Sequence, residues 1–173
     1  KNKTTKELAF SLSTSNAPDL VRTSNLLKVG WEELGARVEV RVFEISDLNQ
    51  NVIRPRKYDA LLFGEVVGRD PDPFAFWHSS QRNDPGLNIG LYTSAKADKL
   101  LEEARGLISR EERAKKYAEF QTEVSQDAPS IFLYSPAFIY LLPPELQGRE
   151  TEHIAIPAER FTNVFKWYLD TKY

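Results

Sequence analysis

Between Leu8 and Phe63 the apolar residues change period several times, and that order constrains the fold more than any single motif. Leu8 to Leu12 reads as a short strand. Ser15-Asn16-Ala17-Pro18 then resembles a helix start, with a capping residue ahead of a proline in the first turn. Leu20, Val21, Ser24, Leu27, Lys28, Trp31 and Leu34 follow a largely apolar helical spacing, and Gly35 supplies a stop. Val38, Val40 and Val42 alternate with Glu39, Arg41 and, imperfectly, Phe43, which predicts a half-buried strand. Ser46-Asp47 opens a short helix that Pro55 must disturb. Ala60-Leu61-Leu62-Phe63 reads as a buried strand. The sequence strand, helix, strand, helix, strand indicates an α/β layer with parallel strands.

The segment after the third strand points to function. Gly64 ends the strand, and the chain opens into EVVGRDPDPFAFW, an acidic, proline-stiffened, aromatic loop. Open α/β sheets bind ligands at the carboxyl ends of their strands, where such a loop emerges. Pro71 and Pro73 fix two φ angles, so the neighbouring side chains lose less entropy when held in place. From 64 to 93 the chain is mostly irregular, with one helical turn expected around Phe74 to Ser79. A loop of this length inside a compact domain is often functional.

Two helices come next. Ala97, Leu100, Leu101, Ala104, Leu107 and Ile108 form the apolar stripe of the first. Ser109-Arg110-Glu111-Glu112 is a capping box that starts the second, with Ala114, Tyr117, Ala118 and Val124 expected to face inward. The charges Glu102, Glu103, Arg110, Glu111 and Lys115 read as a solvated face. Asp127-Ala128-Pro129 ends the hairpin. Ile131-Phe132-Leu133-Tyr134 reads as a further buried strand, and Ala137 to Leu142 as another apolar segment. Residues 143–173 form a distinct return segment, with a short strand candidate at His153 to Ile156 and an aromatic tail from Phe161 that must pack on something.

Composition removes several function classes. The net charge of −2 and pI near 5.8 argue against nucleic acid as the partner. With no cysteine there is no disulfide, no thiolate nucleophile and no cysteine-ligated zinc. Only His78 and His153 offer imidazole, and neither stands in a metal-binding spacing; His78 reads as a hydrogen-bonded loop residue. No metal and no cofactor are therefore expected. No apolar run approaches the roughly 20 residues that cross a bilayer. The 173 residues begin at Lys1 without methionine, as expected of a fragment or processed product, and fit one domain.

Taken in order, these segments resemble the C-terminal lobe of the family 5 extracellular solute-binding proteins, the dipeptide, oligopeptide and nickel-type substrate-binding components of ABC importers. LLKVGWEELGARVEVRVFE is similar to that family's helix and alternating strand, KYDALLFG to its third strand, and DPDPFAFW to its Asp-Pro binding loop. LNIGLYTSAKADKLLEEARGLISREERAKKYAEFQTEVSQDAPSIFLYSP resembles its asparagine-to-tyrosine segment, helical hairpin and following strand. The resemblance covers about residues 8–142. It implies an α/β fold, a single lobe (residues 1–173) of a type II periplasmic-binding-protein-like architecture with a mixed sheet flanked by helices. It also implies a missing N-terminal lobe, a ligand held between lobes, delivery to ABC permease subunits, and an extracytoplasmic setting, usually with a lipoprotein anchor. The implied chemistry is reversible binding, not catalysis.

The candidate ligand-binding residues are Glu65, Val67, Arg69, Asp70, Phe74, Trp77 and Asn88. Trp77 and Phe74 suit stacking on a sugar ring or packing on a peptide side chain, and equally suit pinning the loop to the core. Glu65 or Asp70 can accept from an ammonium or hydroxyl group, and Arg69 can grip a carboxylate. Val67 shares the segment, and Asn88 with Tyr92 matches the family's asparagine-to-tyrosine spacing. Peptide-binding relatives carry an aspartate between the strand-ending glycine and the Asp-Pro loop. Here that space holds Val66, Val67 and Gly68, which leaves an oligosaccharide or another solute open as the ligand. Two competing functions are a sensory module retaining this lobe and an α/β hydrolase using Asp70 and Asp72. Residues one proline apart in a tight loop rarely oppose each other as a carboxylate pair must, and no nucleophile elbow or phosphate loop is present.

Overall fold

The computed structural model describes residues 7–68, 72–150 and 154–170. Arg69, Asp70 and His153 lie outside them, as does the end of the aromatic tail (171–173). Strand β1 (Ala9–Ser15) leads to helix α1 (Pro18–Glu33), strand β2 (Arg37–Phe43) and a short helix α2 (Ile45–Asp47) that widens into a π-helical stretch over Leu48–Ile53. Strand β3 (Ala60–Leu61) comes next. After the loop stand α3 (Phe74–Trp77), α4 (Ala95–Gly106) and α5 (Arg110–Asp127), then two short strands, β4 (Leu146–Gln147) and β5 (Tyr168–Leu169).

The main sheet has three strands in the order β2-β1-β3, all parallel, and β4 pairs antiparallel with β5 in a separate ladder. The expected mixed pairing is thus divided between two sheets. β1 is the centre, and its residues Ser11 to Ser15 are all buried. On one side, α1 covers Leu12, Val38 and Leu62 through Leu20, Leu27 and Trp31. On the other, the π-helical stretch packs Leu48, Val52 and Ile53 under Phe43, Tyr58 and Leu61. Removing each such aliphatic side chain from water contributes about 1.5–3 kcal/mol, so the hydrophobic term fixes both crossovers onto the sheet.

Helix α1 starts at Pro18 as the sequence predicts, although its cap residue is Ala17, with no side-chain cap, while the Ser15 hydroxyl accepts from the Ala17 N–H at 3.4 Å. It ends at Gly35, whose φ of +90° suits the left-handed turn that glycine adopts without a Cβ penalty. The predicted cap of α5 is present: the Ser109 hydroxyl accepts from the Glu112 N–H at 3.3 Å. Ala128, in the left-handed region, ends that helix.

Four expectations are corrected. Only two residues of β3 are paired, and of the run from Ala60 only Leu62 is buried, because β3 is an edge strand with β1 as its sole neighbour among the described residues. On α5 the inward face is Tyr117, Phe120 and Val124, while Ala114 and Ala118 stay outside that core; the larger side chains reach α4 and win the burial. The segment Ile131–Tyr134 is neither strand nor buried, and the run stays open as far as Leu141, with Leu142 half-buried: Phe132 is 71% exposed and Leu141 88%. Ile154 to Ile156 forms a bend instead of a strand. The tail packs only in part: the Phe161 ring lies 5.8 Å from that of Trp167 and 6.2 Å from that of Tyr140, while Phe165, Tyr168 and Leu169 stay exposed.

Candidate functional site

The strand order places β2 and β3 on opposite sides of β1. The crossovers therefore diverge at the carboxyl ends of β1 and β3, the position where open α/β sheets form a ligand crevice. Hydrogen bonds fix this edge. The Leu62 N–H donates to the Ser13 carbonyl at 2.9 Å, and the buried Thr14 hydroxyl donates to the Leu62 carbonyl at 3.0 Å. Beside them the Asn16 N–H donates to the Phe43 carbonyl at 2.8 Å. The candidate loop leaves from this clamped edge.

Glu65 is the first acidic group beyond it. The residue is open to solvent on its outer side, yet the protein gathered around its carboxyl pushes the pKa up to about 7 by desolvation. Val66 and Val67 stand exposed beside it. The edge thus presents one carboxyl of weakened acidity next to apolar surface. Arg69 and Asp70 lie outside the described residues.

The far end of the loop is anchored. Asp72 accepts from the Phe74 N–H at 3.1 Å and from Arg105 Nε at 2.7 Å. The Phe74 ring stacks on that of His78, with centroids 4.1 Å apart, and the Arg105 guanidinium lies 3.9 Å from its centroid. Trp77 is half-buried and packs edge-on to Tyr92 and Phe120 and tilted against Phe132, in the core shared with Leu100, Leu101 and Val124. Both aromatic residues therefore pin the loop. Phe74 and Trp77 keep partial exposure through which a ligand can touch them.

Asn88 is corrected. It is fully enclosed, and its amide nitrogen lies within 3.2 Å of the carbonyls of Trp77, His78 and Tyr92, while its oxygen accepts from the Tyr92 N–H. A side chain with every polar atom engaged in the loop's own backbone has none left for a ligand. His78 is a buried loop residue, as expected. Its Nδ1 accepts from the Ser80 N–H at 3.1 Å, which puts the neutral ring's proton on Nε2, facing Glu102 at 3.3 Å. Among the described residues no cluster of His, Asp and Glu is placed to hold a metal ion. Glu102 lies on the solvated face, as expected, and its carboxylate also meets His78. Sequence reasoning also passed over Asp98 and Arg105, although Asp98, Glu102 and Arg105 recur at the spacing of one helical face.

A shallow groove of about 330 Å³ lies at the opposite, amino-terminal end of the sheet, lined by Phe10, Val38, Glu39, Arg41 and Asp59. Its charges are engaged locally: Arg41 pairs with Glu39 at 2.7 Å, and Asp59 accepts from Ser11. The strand-edge loop has the stronger chemical case.

Over 167 residues, 95% of its length, the chain is 30% identical to the oligopeptide-binding protein AppA of Bacillus subtilis. The structure of that AppA in complex with a nonapeptide superposes on 98% of the chain with a TM-score of 0.75 and 26% identity, using 33% of the AppA chain. The resemblance to the family 5 solute-binding proteins holds in sequence and in fold. Heme-binding protein A of Haemophilus influenzae is 28% identical over 76% of the chain, and NikZ of Campylobacter jejuni, solved with Ni(L-His), superposes on 92% of it with a TM-score of 0.67 and 25% identity. No family model matches the chain. The chain spans 30% of the length of AppA and 24% of that of heme-binding protein A, so it corresponds to a minor part of each.

Proposed function

We propose that this chain is one lobe, the C-terminal one, of an ABC-importer substrate-binding protein that captures a peptide and passes it to a membrane permease. The observation that carries the reading is the match to AppA along nearly the whole chain, in sequence and in fold, with the candidate loop at the strand edge. The reading gives the loop the role of one jaw, with Glu65 facing a cationic group of the ligand, Val67, Phe74 and Trp77 supplying apolar contact, and Arg69 and Asp70 supplying polar contact. The relatives matched are named for binding, not for catalysis. Within the loop, Asp72 is tied to Arg105 and to the Phe74 N–H, which does not suit it to acid–base work. In the same reading the complete protein works outside the cytoplasm, held by a lipid anchor. Relatives in this fold include proteins described as periplasmic, and none of the described helices is long and apolar enough to cross a membrane.

The open apolar run from Ile131 to Leu141 supports the reading of the chain as one lobe of a longer protein. Phe132, Ile139 and Leu141 are each more than two-thirds exposed. A soluble monomer rarely leaves contiguous apolar surface of this extent facing water. The remainder of a protein some three times longer is the natural cover.

A thermal-shift screen of the complete protein against short peptides, oligosaccharides and nickel complexes tests the function. A peptide present at about 100 times its Kd adds about 2.7 kcal/mol to stability, and it must be recovered intact. Stabilisation by oligosaccharides alone, or cleavage of the peptide, would overturn the reading.

A further inference from the structure

Helix α4 holds the candidate loop through one row of charges. Asp98 accepts from the Ser79 N–H at 2.9 Å and from the Ser79 hydroxyl. One turn on, Glu102 meets His78 Nε2 at 3.3 Å. One turn further, Arg105 Nε donates to Asp72 at 2.7 Å. Three consecutive turns of one helix face therefore grip residues at 72, 78 and 79.

Arg105 does more than pair with a carboxylate. Its guanidinium carbon and the His78 ring both lie about 4 Å from the Phe74 centroid, and the two rings are within 16° of parallel. Two groups at that distance cannot share one face of a phenyl ring, so Phe74 is sandwiched between guanidinium and imidazole. Planarity lets one side chain stack on the ring and pair with Asp72 together, which a lysine ammonium cannot reproduce. The sheet edge thus fixes the chain at Leu62, and this stack fixes it again at Asp72 and Phe74.

We propose that Arg105 is a positioning residue for ligand binding: it touches no ligand, and it sets the pose of Phe74 and Trp77 in the candidate loop by holding Asp72 and Phe74 against α4. The inference rests on the reading of that loop as the binding element. The strand edge alone fixes where the loop begins. The α4 contacts at Asp72, His78 and Ser79, together with the Asn88 bonds and the Trp77 packing, fix where it returns, and a loop held at both ends loses less entropy when a ligand orders it.

The test uses the complete protein carrying Arg105→Ala or Arg105→Lys. Peptide affinity is measured by calorimetry, and amide exchange across residues 65–79 is measured without ligand. Arg105→Ala is expected to weaken peptide binding about tenfold, the combined scale of a partly exposed ion pair and a cation–π contact. It is also expected to speed exchange at Phe74 to Ser79 while exchange in β1 and α5 stays unchanged. Arg105→Lys, keeping charge without the planar stack, falls between. Wild-type affinity in both variants, or faster exchange spread evenly over the chain, overturns the positioning role. If the wild-type protein itself binds no peptide, it is the functional reading that fails.

Discussion

Replacing Asn88 by alanine separates an internal brace from a ligand contact, and its magnitude is set by the hydrogen bonds. The side chain is 0% exposed. Its two amide hydrogens serve three carbonyls, of Trp77 at 3.2 Å, His78 at 3.1 Å and Tyr92 at 3.0 Å, and its oxygen accepts from the Tyr92 N–H at 3.1 Å. Truncation removes these bonds and leaves backbone groups without partners in a closed site. At about 1 kcal/mol net per bond, with a further penalty for each buried group left unpaired, the loss is about 3–5 kcal/mol. That is a large share of the roughly 5–15 kcal/mol typical of a folded domain. Asn88→Asp should cost at least as much at neutral pH, since it turns carboxylate oxygens toward carbonyl oxygens. Chemical denaturation of the complete protein reads the effect as a lower midpoint at constant slope. A loss under about 1 kcal/mol, with peptide affinity reduced, would refute the reasoning and return Asn88 to the ligand site.

The geometry sets two more outcomes. Glu65 is raised from 4.5 to about 7 by desolvation, so the folded protein binds its proton more tightly than the unfolded chain does. Ionisation then opposes folding: stability falls as pH rises from about 4.5 to about 7 and levels off above. Glu65→Gln should remove that slope, which denaturation at a series of pH values checks, and an unchanged slope would mean that the carboxyl is freely hydrated. Leu141→Glu should destabilise the complete protein by about 2 kcal/mol or more if the remainder of the chain covers the exposed run; a change within about 0.5 kcal/mol would mean that Leu141 faces water.

The first third of the chain, before Gly64, was largely legible because its apolar residues alternate in one strand and recur at helical spacing in α1, and Gly35 and Pro18 mark the boundaries. The hairpin was legible for the same reason, with Ser109 capping α5, although α4 stops at Gly106, short of the expected Leu107 and Ile108, and leaves Ile108 exposed. The errors share a cause. A short apolar run such as Ile131–Tyr134 specifies burial without saying against what, and within the described residues no neighbouring strand is offered. Ala114 and Ala118 fit the periodicity, but small side chains yield the interface to Phe120. At the site, the sheet edge and the pinning role of Trp77 and Phe74 could be anticipated from residue type. Asn88 could not, because a polar residue near a loop looks alike whether it faces ligand or backbone. Asp98, Glu102 and Arg105 look like ordinary helix charges in the sequence, and only the fold shows that each also meets the loop.

The most direct measurement is calorimetric titration of the complete protein with peptides, for wild type and Trp77→Ala together. The account predicts saturable binding with no peptide consumed, and affinity lower by about tenfold or more in the variant, since on the proposed reading Trp77 touches ligand as well as holding the loop. Absence of binding across the peptide set, or equal affinity in the two proteins, would contradict it.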